Sequence, residues 1–139
     1  MKDDAGRSAR YREGMATRRE VLGDDHVDRA LQQTSDFDAP FQALITEAAW
    51  GHTWSRPGWT RRERSMVTIA LLAGLGHDEE LAMHVRATAR TGASRDDVCE
   101  ALMHVAVYAG VPAANRAIKI AKEVFAQMQS ERAAGEDRA

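Results

Sequence analysis

Glu80 and His84 lie four residues apart, the spacing that puts two side chains on one face of a helix. A carboxylate beside an imidazole orients the ring and stabilises its charged form, which makes a competent acid/base pair. The same spacing also describes an ordinary exposed helix pair. Glu100, His104 and Tyr108 repeat it as an i, i+4, i+8 stripe. This second stripe runs along an apolar segment, where unpaired polar groups are costly. Its members therefore either pair in the core or face a cavity. Arg56, Arg61, Arg62 and Arg64 flank a loop that carries Trp54 and Trp59. Arginine grips carboxylates through a planar fork, so the group is a candidate site for an anionic substrate. One helix face cannot aim all four inwards, and at least two are expected to be ordinary solvated charges.

His77, Glu80, His84 and His104 are of the types that hold zinc or iron. They form neither HExxH nor a Cys/His array, so no metal site is expected. Cys99 is the only cysteine. An intrachain disulfide and a paired-thiol redox centre are both excluded, and a buried structural thiol is expected.

Helices must position these residues. Residues 11–22 read as a helix capped by Gly23. Asp36 or Asp38 opens another, with Pro40 in its first turn, running towards Trp50. Residues 51–59 (GHTWSRPGW) read as a loop. Thr60 and Glu63 have capping-box spacing and start a helix to about Leu75. Asp78 starts the next, which Gly92 ends; Ser94 with Asp97 starts another, which Gly110 ends. Pro112 opens a last helix to about Gln129. No alternating β-branched stretch competes. The expected fold is all-α: a single-domain helical bundle of about six to seven helices over 1–139, ordered from about 10 to 129, with flexible tails. Residues 66–75 (MVTIALLAGL) and 101–109 (ALMHVAVYA) are apolar nearly all round, which suits burial in a core or against another subunit.

The bulk properties narrow the function. A chain of 139 residues suits one domain with a real core. A net charge of −2 argues against a nucleic-acid binder. A helix-turn-helix reading of the segment from Ser94 fails too, because its exposed face offers Arg95, Asp96, Asp97 and Glu100, a poor match to phosphate. The polar N-terminus has no apolar signal region, and no apolar run reaches the roughly 18 residues of a membrane span. A soluble cytoplasmic protein is expected.

Several segments, in order, match one family. The run Trp50-Gly51-His52-Thr53-Trp54-Ser55-Arg56-Pro57-Gly58 resembles the WG-x-x-W-x-RPG loop of the carboxymuconolactone decarboxylase family. Arg64-Ser65-Met66-Val67-Thr68-Ile69-Ala70 is similar to its R-S-x-x-T-I-A helix. Glu79-Glu80-Leu81 with His84-Val85-Arg86-Ala87 resembles its E-E-L-x-x-H-x-R-A segment. Tyr108-Ala109-Gly110-Val111-Pro112-Ala113-Ala114-Asn115 resembles its Y-x-G-x-P-A-A-N junction. Val21-Leu22-Gly23-Asp24 and His26-Val27-Asp28 also fit. The resemblance covers about residues 10–128. In the wider alkylhydroperoxidase-D-like superfamily a CxxC precedes a histidine; here His84 takes the histidine position, and His77 and Glu80 stand where the cysteines would.

The resemblance implies an alkylhydroperoxidase-D-like fold and a carboxy-lyase of protocatechuate breakdown. The reaction converts 4-carboxymuconolactone to β-ketoadipate enol-lactone and CO₂ without a cofactor. It implies His84 as the acid, with Glu80 orienting it. Arg64 and then Arg56 would hold the dicarboxylate lactone, and Trp54 and Tyr108 would wall the pocket, with Glu100 and His104 nearby. Family members often carry glutamine at 104. The resemblance further implies a homo-oligomer, a hexamer or trimer of dimers. Another small-molecule decarboxylase, a thiol-independent oxidoreductase on the same fold, and a non-catalytic binding module are the alternatives.

Overall fold

The structure, a computed structural model, describes residues 5–138. Its elements run α1 (Ala9–Leu22), α2 (Asp24–Gln33), α3 (Ala39–Ile45), a π-helical segment (Thr46–Trp54), α4 (Arg61–Leu75), α5 (Asp78–Thr91), α6 (Arg95–Tyr108) and α7 (Val111–Arg138). No strand occurs among the described residues, so the fold is all-α as expected. The helices group into two compact units, one through Arg61 and one from Arg62. The outermost positions of both expected tails, 1–4 and 139, lie outside the described residues.

In the first unit, the Ser8 hydroxyl caps α1 by accepting from the Tyr11 N–H at 3.0 Å. Gly23, at φ 90°, ends the helix and donates its N–H to the Arg19 carbonyl. Tyr11, Gly14, Thr17, Arg18 and Val21 form its buried face. A helix with no separate sequence expectation, α2, starts directly after Gly23 with Asp24 and Asp25 in its first turn and buries Val27. Such acidic starts favour the positive helix end.

Along the π-helical segment, α1 packs backbone to backbone. A Cβ on Gly14 would stand 2.1 Å from the Thr46 carbonyl oxygen, and one on Gly51 would stand 2.5 Å from that of Arg10. Here the expected loop is corrected: residues 51–54 continue the helical winding instead of opening it. Gly51 is a glycine because α1 lies on it, and no turn is needed there.

The second unit follows its punctuation closely. Gly92, at φ 86°, terminates α5 in the left-handed conformation. Ser94 and Asp97 form a complete reciprocal capping box at the start of α6. Ile69, Ala73, Leu81, Val85, Val98, Leu102, Val105, Ala117 and Val124 build one core from all four helices. The last helix overruns its expected end and continues to Arg138. Its added residues are largely strong helix formers. Arg86 on α5 also reaches across to Glu131 at 2.7 Å and to Gln127 at 2.9 Å.

Neither apolar helix is fully covered. Val67, Leu71 and Leu75 form an exposed i, i+4, i+8 stripe on α4. Met103, Val107 and Tyr108 are exposed on α6, and Val111 follows at the start of α7. No helix among the described residues is long and apolar enough to cross a membrane.

Candidate functional site

The tryptophan-rich motif is built into the first unit by hydrogen bonds. Trp50 and Trp54 are buried, with ring centroids 5.3 Å apart and planes tilted by 33°. The Ser55 hydroxyl lies 2.6 Å from the Trp50 carbonyl oxygen and 2.7 Å from the Thr17 hydroxyl of α1. Arg61 donates to the Trp54 carbonyl oxygen and pairs with Glu20 at 3.2 Å. The end of the π-helical segment is thus tied to α1 at several points. Arg56 follows in the exposed turn, and Trp59 is also exposed.

The second unit carries the candidate acid. Among the five histidines, His84 alone is buried, at 6% exposure. It shares the inner face of α5 with the core residues Leu81 and Val85. Glu80, one turn earlier, is exposed, so the face they share runs from solvent into the protein. Arg64 is half-buried near the start of α4, beside the fully buried Ser65. Arg62 is committed elsewhere: its guanidinium binds the Asp97 carboxylate through two bonds of 2.7 Å, joining α4 to the cap of α6. That pairing, with the Ser94 N–H, holds the Asp97 carboxyl far below the usual carboxylate range. Arg61 and Arg62 therefore have specific partners within their own units, where ordinary solvated charges were the expectation for at least two of the four.

Glu100, His104 and Tyr108 are all exposed, which removes the core reading of that stripe. The reason is helical phase. Val98, Leu102 and Val105 face the core, and the polar stripe points the other way. His104 and Tyr108 stack on each other, with centroids 6.4 Å apart and planes 9° from parallel. Cys99 is exposed as well, on a different side of α6, which corrects the expected buried thiol. A cleft of about 420 Å³ at the α5–α6 turn is lined by Ser94, Arg95, Phe125 and Arg132 among others, and holds none of the candidate residues. Among the described residues, no three His, Cys, Asp or Glu side chains gather as a metal site would.

One buried charged residue is not among the candidates that the sequence offers. Arg18 is 6% exposed on the inner face of α1. Its spacing from Gly14 and Val21, four residues after one and three before the other, placed it on that face all along.

The profile of the Carboxymuconolactone decarboxylase family matches residues 39–123. A 4-carboxymuconolactone decarboxylase of Acinetobacter baylyi is 48% identical over 116 residues, 84% of this chain and 87% of that one. A nitrosuccinic acid decarboxylase of Metarhizium robertsii is 37% identical over 118 residues, 85% of this chain and 82% of that one. A 4-carboxymuconolactone decarboxylase sequence from Pseudomonas putida is 55% identical over 42 residues, 30% of this chain and 88% of that one.

Proposed function

The chain belongs to the carboxymuconolactone decarboxylase family, and on that premise we propose that it removes CO₂ from 4-carboxymuconolactone to give β-ketoadipate enol-lactone. The leaving carboxylate of this substrate sits on the carbon γ to an unsaturated lactone carbonyl. Electrons released with CO₂ flow through the double bond onto the carbonyl oxygen, so the substrate is its own electron sink. The protein is left to bind a dianion, stabilise the growing negative charge and protonate the α-carbon of the dienolate.

His84 is the acid in this reading. The observation that carries it is burial: one histidine of five is withdrawn from water, on a helix segment that matches the family. A proton held there goes to the substrate and not to bulk solvent. Glu80 orients the ring from the outer end of the same face, and Arg64 holds a substrate carboxylate with its fork. Self-association is part of the proposal, supported by the uncovered Val67, Leu71, Leu75, Met103 and Val107. So is a cytoplasmic location.

Turnover of fresh 4-carboxymuconolactone, followed by CO₂ release and with nitrosuccinate as the comparison substrate, tests the reaction. His84→Gln should lower kcat by about 10²–10⁴-fold in a folded protein. Glu80→Gln should lower it less. A His84→Gln variant with wild-type turnover and normal deuterium incorporation at the α-carbon would hand the proton to water or another residue.

A further inference from the structure

Arg18 and Arg19 are neighbours on α1 with opposite fates. Arg19 turns outwards and pairs with Asp24 at 3.1 Å and Asp28 at 2.9 Å. Arg18 turns inwards, where its Nε and Nη1 are fully buried and have no hydrogen-bond partner. Among the described residues no carboxylate pairs with it. Burial lowers its pKa, against a smaller opposing effect from Tyr11, and Arg19 adds a like charge. His26 is also held below its usual value, first by its own burial and then by the Arg18 charge. Even a lowered guanidinium stays protonated at neutral pH. The chain therefore keeps a permanent cation out of water, beside another cation and with at least two N–H groups unsatisfied.

Such an arrangement is unfavourable in the free protein unless an anion completes it. We propose that Arg18 is a binding site for a carboxylate of a small ligand, which accepts hydrogen bonds from the buried guanidinium. Carboxylate is the class that matches, because its two oxygens meet N–H groups in the plane of the fork. A lysine there would keep the charge and lose that match. The ligand carboxylate comes either from the substrate proposed above or from a separate small acid. The site itself does not depend on which.

Thermal unfolding of the full-length wild type, Arg18→Met and Arg18→Lys in sodium adipate or sodium succinate, against sodium chloride at equal ionic strength, tests the site. The wild type should be stabilised by the dicarboxylates through mass action. Arg18→Met should melt at or above the wild-type temperature in chloride, because the uncompensated charge is gone, and should gain nothing from adipate. Arg18→Lys should gain less than the wild type. An Arg18→Met variant that is less stable in chloride, yet stabilised by adipate as the wild type is, would make Arg18 a structural residue and overturn the proposal. So would a wild type that neither dicarboxylate stabilises. Kinetics then identify the source. A KM for 4-carboxymuconolactone raised about 10–100-fold in Arg18→Met, with kcat held within a few fold, assigns the carboxylate to the substrate. An unchanged KM with the adipate response lost assigns it to a separate acid. Failure of the wild type to decarboxylate would sink the proposed function and leave the thermal measurements to decide on Arg18.

Discussion

Where α1 crosses the π-helical segment, two backbones touch because Gly14 and Gly51 lack side chains. Where α4, α5, α6 and α7 meet, Ile69, Leu81, Leu102 and Val124 fill the space between helices. The first region is fixed by contact between rigid peptide groups, reinforced by the Thr17–Ser55–Trp50 hydrogen bonds and by Arg61. The second is fixed by close-packed aliphatic groups that can shift a little when one changes. The contrast teaches where each part tolerates change. The crossing accepts almost no added atom, whereas the core responds in proportion to the volume removed.

Gly14→Ala should expose this difference most sharply. Its new Cβ would meet a backbone oxygen at 2.1 Å, and a peptide group cannot rotate away as a side chain can. A loss of about 4 kcal/mol or more is expected in urea unfolding, at the exceptional end of single substitutions. Leu102→Ala in the aliphatic core should lose about 2–5 kcal/mol, the range for truncating a buried leucine. If the leucine truncation proves the more damaging of the two, the crossing is softer than its geometry says and the comparison breaks.

The smallest effect concerns the polar tie within the second unit. Arg62 and the Ser94 N–H hold the Asp97 carboxyl far below its usual range. A carboxylate whose folded-state pKa is depressed stabilises the protein fully above its unfolded value of about 3.9. That contribution disappears as pH falls from there through the folded-state value. Asp97→Asn should therefore be modestly less stable near neutrality and lose less on acidification below about pH 4. Urea midpoints measured near pH 7 and near pH 3 read both. Parallel pH profiles in the two proteins would show that Asp97 acts as a cap alone.

Much of the second unit was legible because its boundaries are local chemistry. Gly92, Gly110 and the Ser94–Asp97 box each act within a few residues, and each stands where the sequence puts it. The first unit was harder because its signals depend on distant neighbours. Gly51 looks like a helix stop in sequence, and only the Arg10 carbonyl lying against it reveals a packing glycine. Arg18 gives the same lesson: a charge is read as exposed unless the face it sits on is already known to be buried. Of the candidate site, the burial of His84 and the structural duties of Arg61 and Arg62 emerged only with the fold. The outward aim of Glu100, His104 and Tyr108 follows from the phase of α6. An almost uniformly apolar helix conceals that phase from any periodicity count.

The π-helical segment stores information in its residue count. Its hydrogen-bonded rings each enclose one residue more than those of an α-helix. Ser55 and Arg56, which follow Trp54 in the same unit, are therefore offset by one step from a continuous α-helix, about 100° of rotation. Relaxing Thr46–Trp54 to α winding with every residue kept would swing Ser55 and Arg56 through that angle, taking the Ser55 hydroxyl away from Thr17, whereas deleting one residue at the same time would leave them aimed nearly as before. The stretch therefore works as a length buffer: a change of winding can absorb the loss of one residue while the motif beyond it keeps its aim.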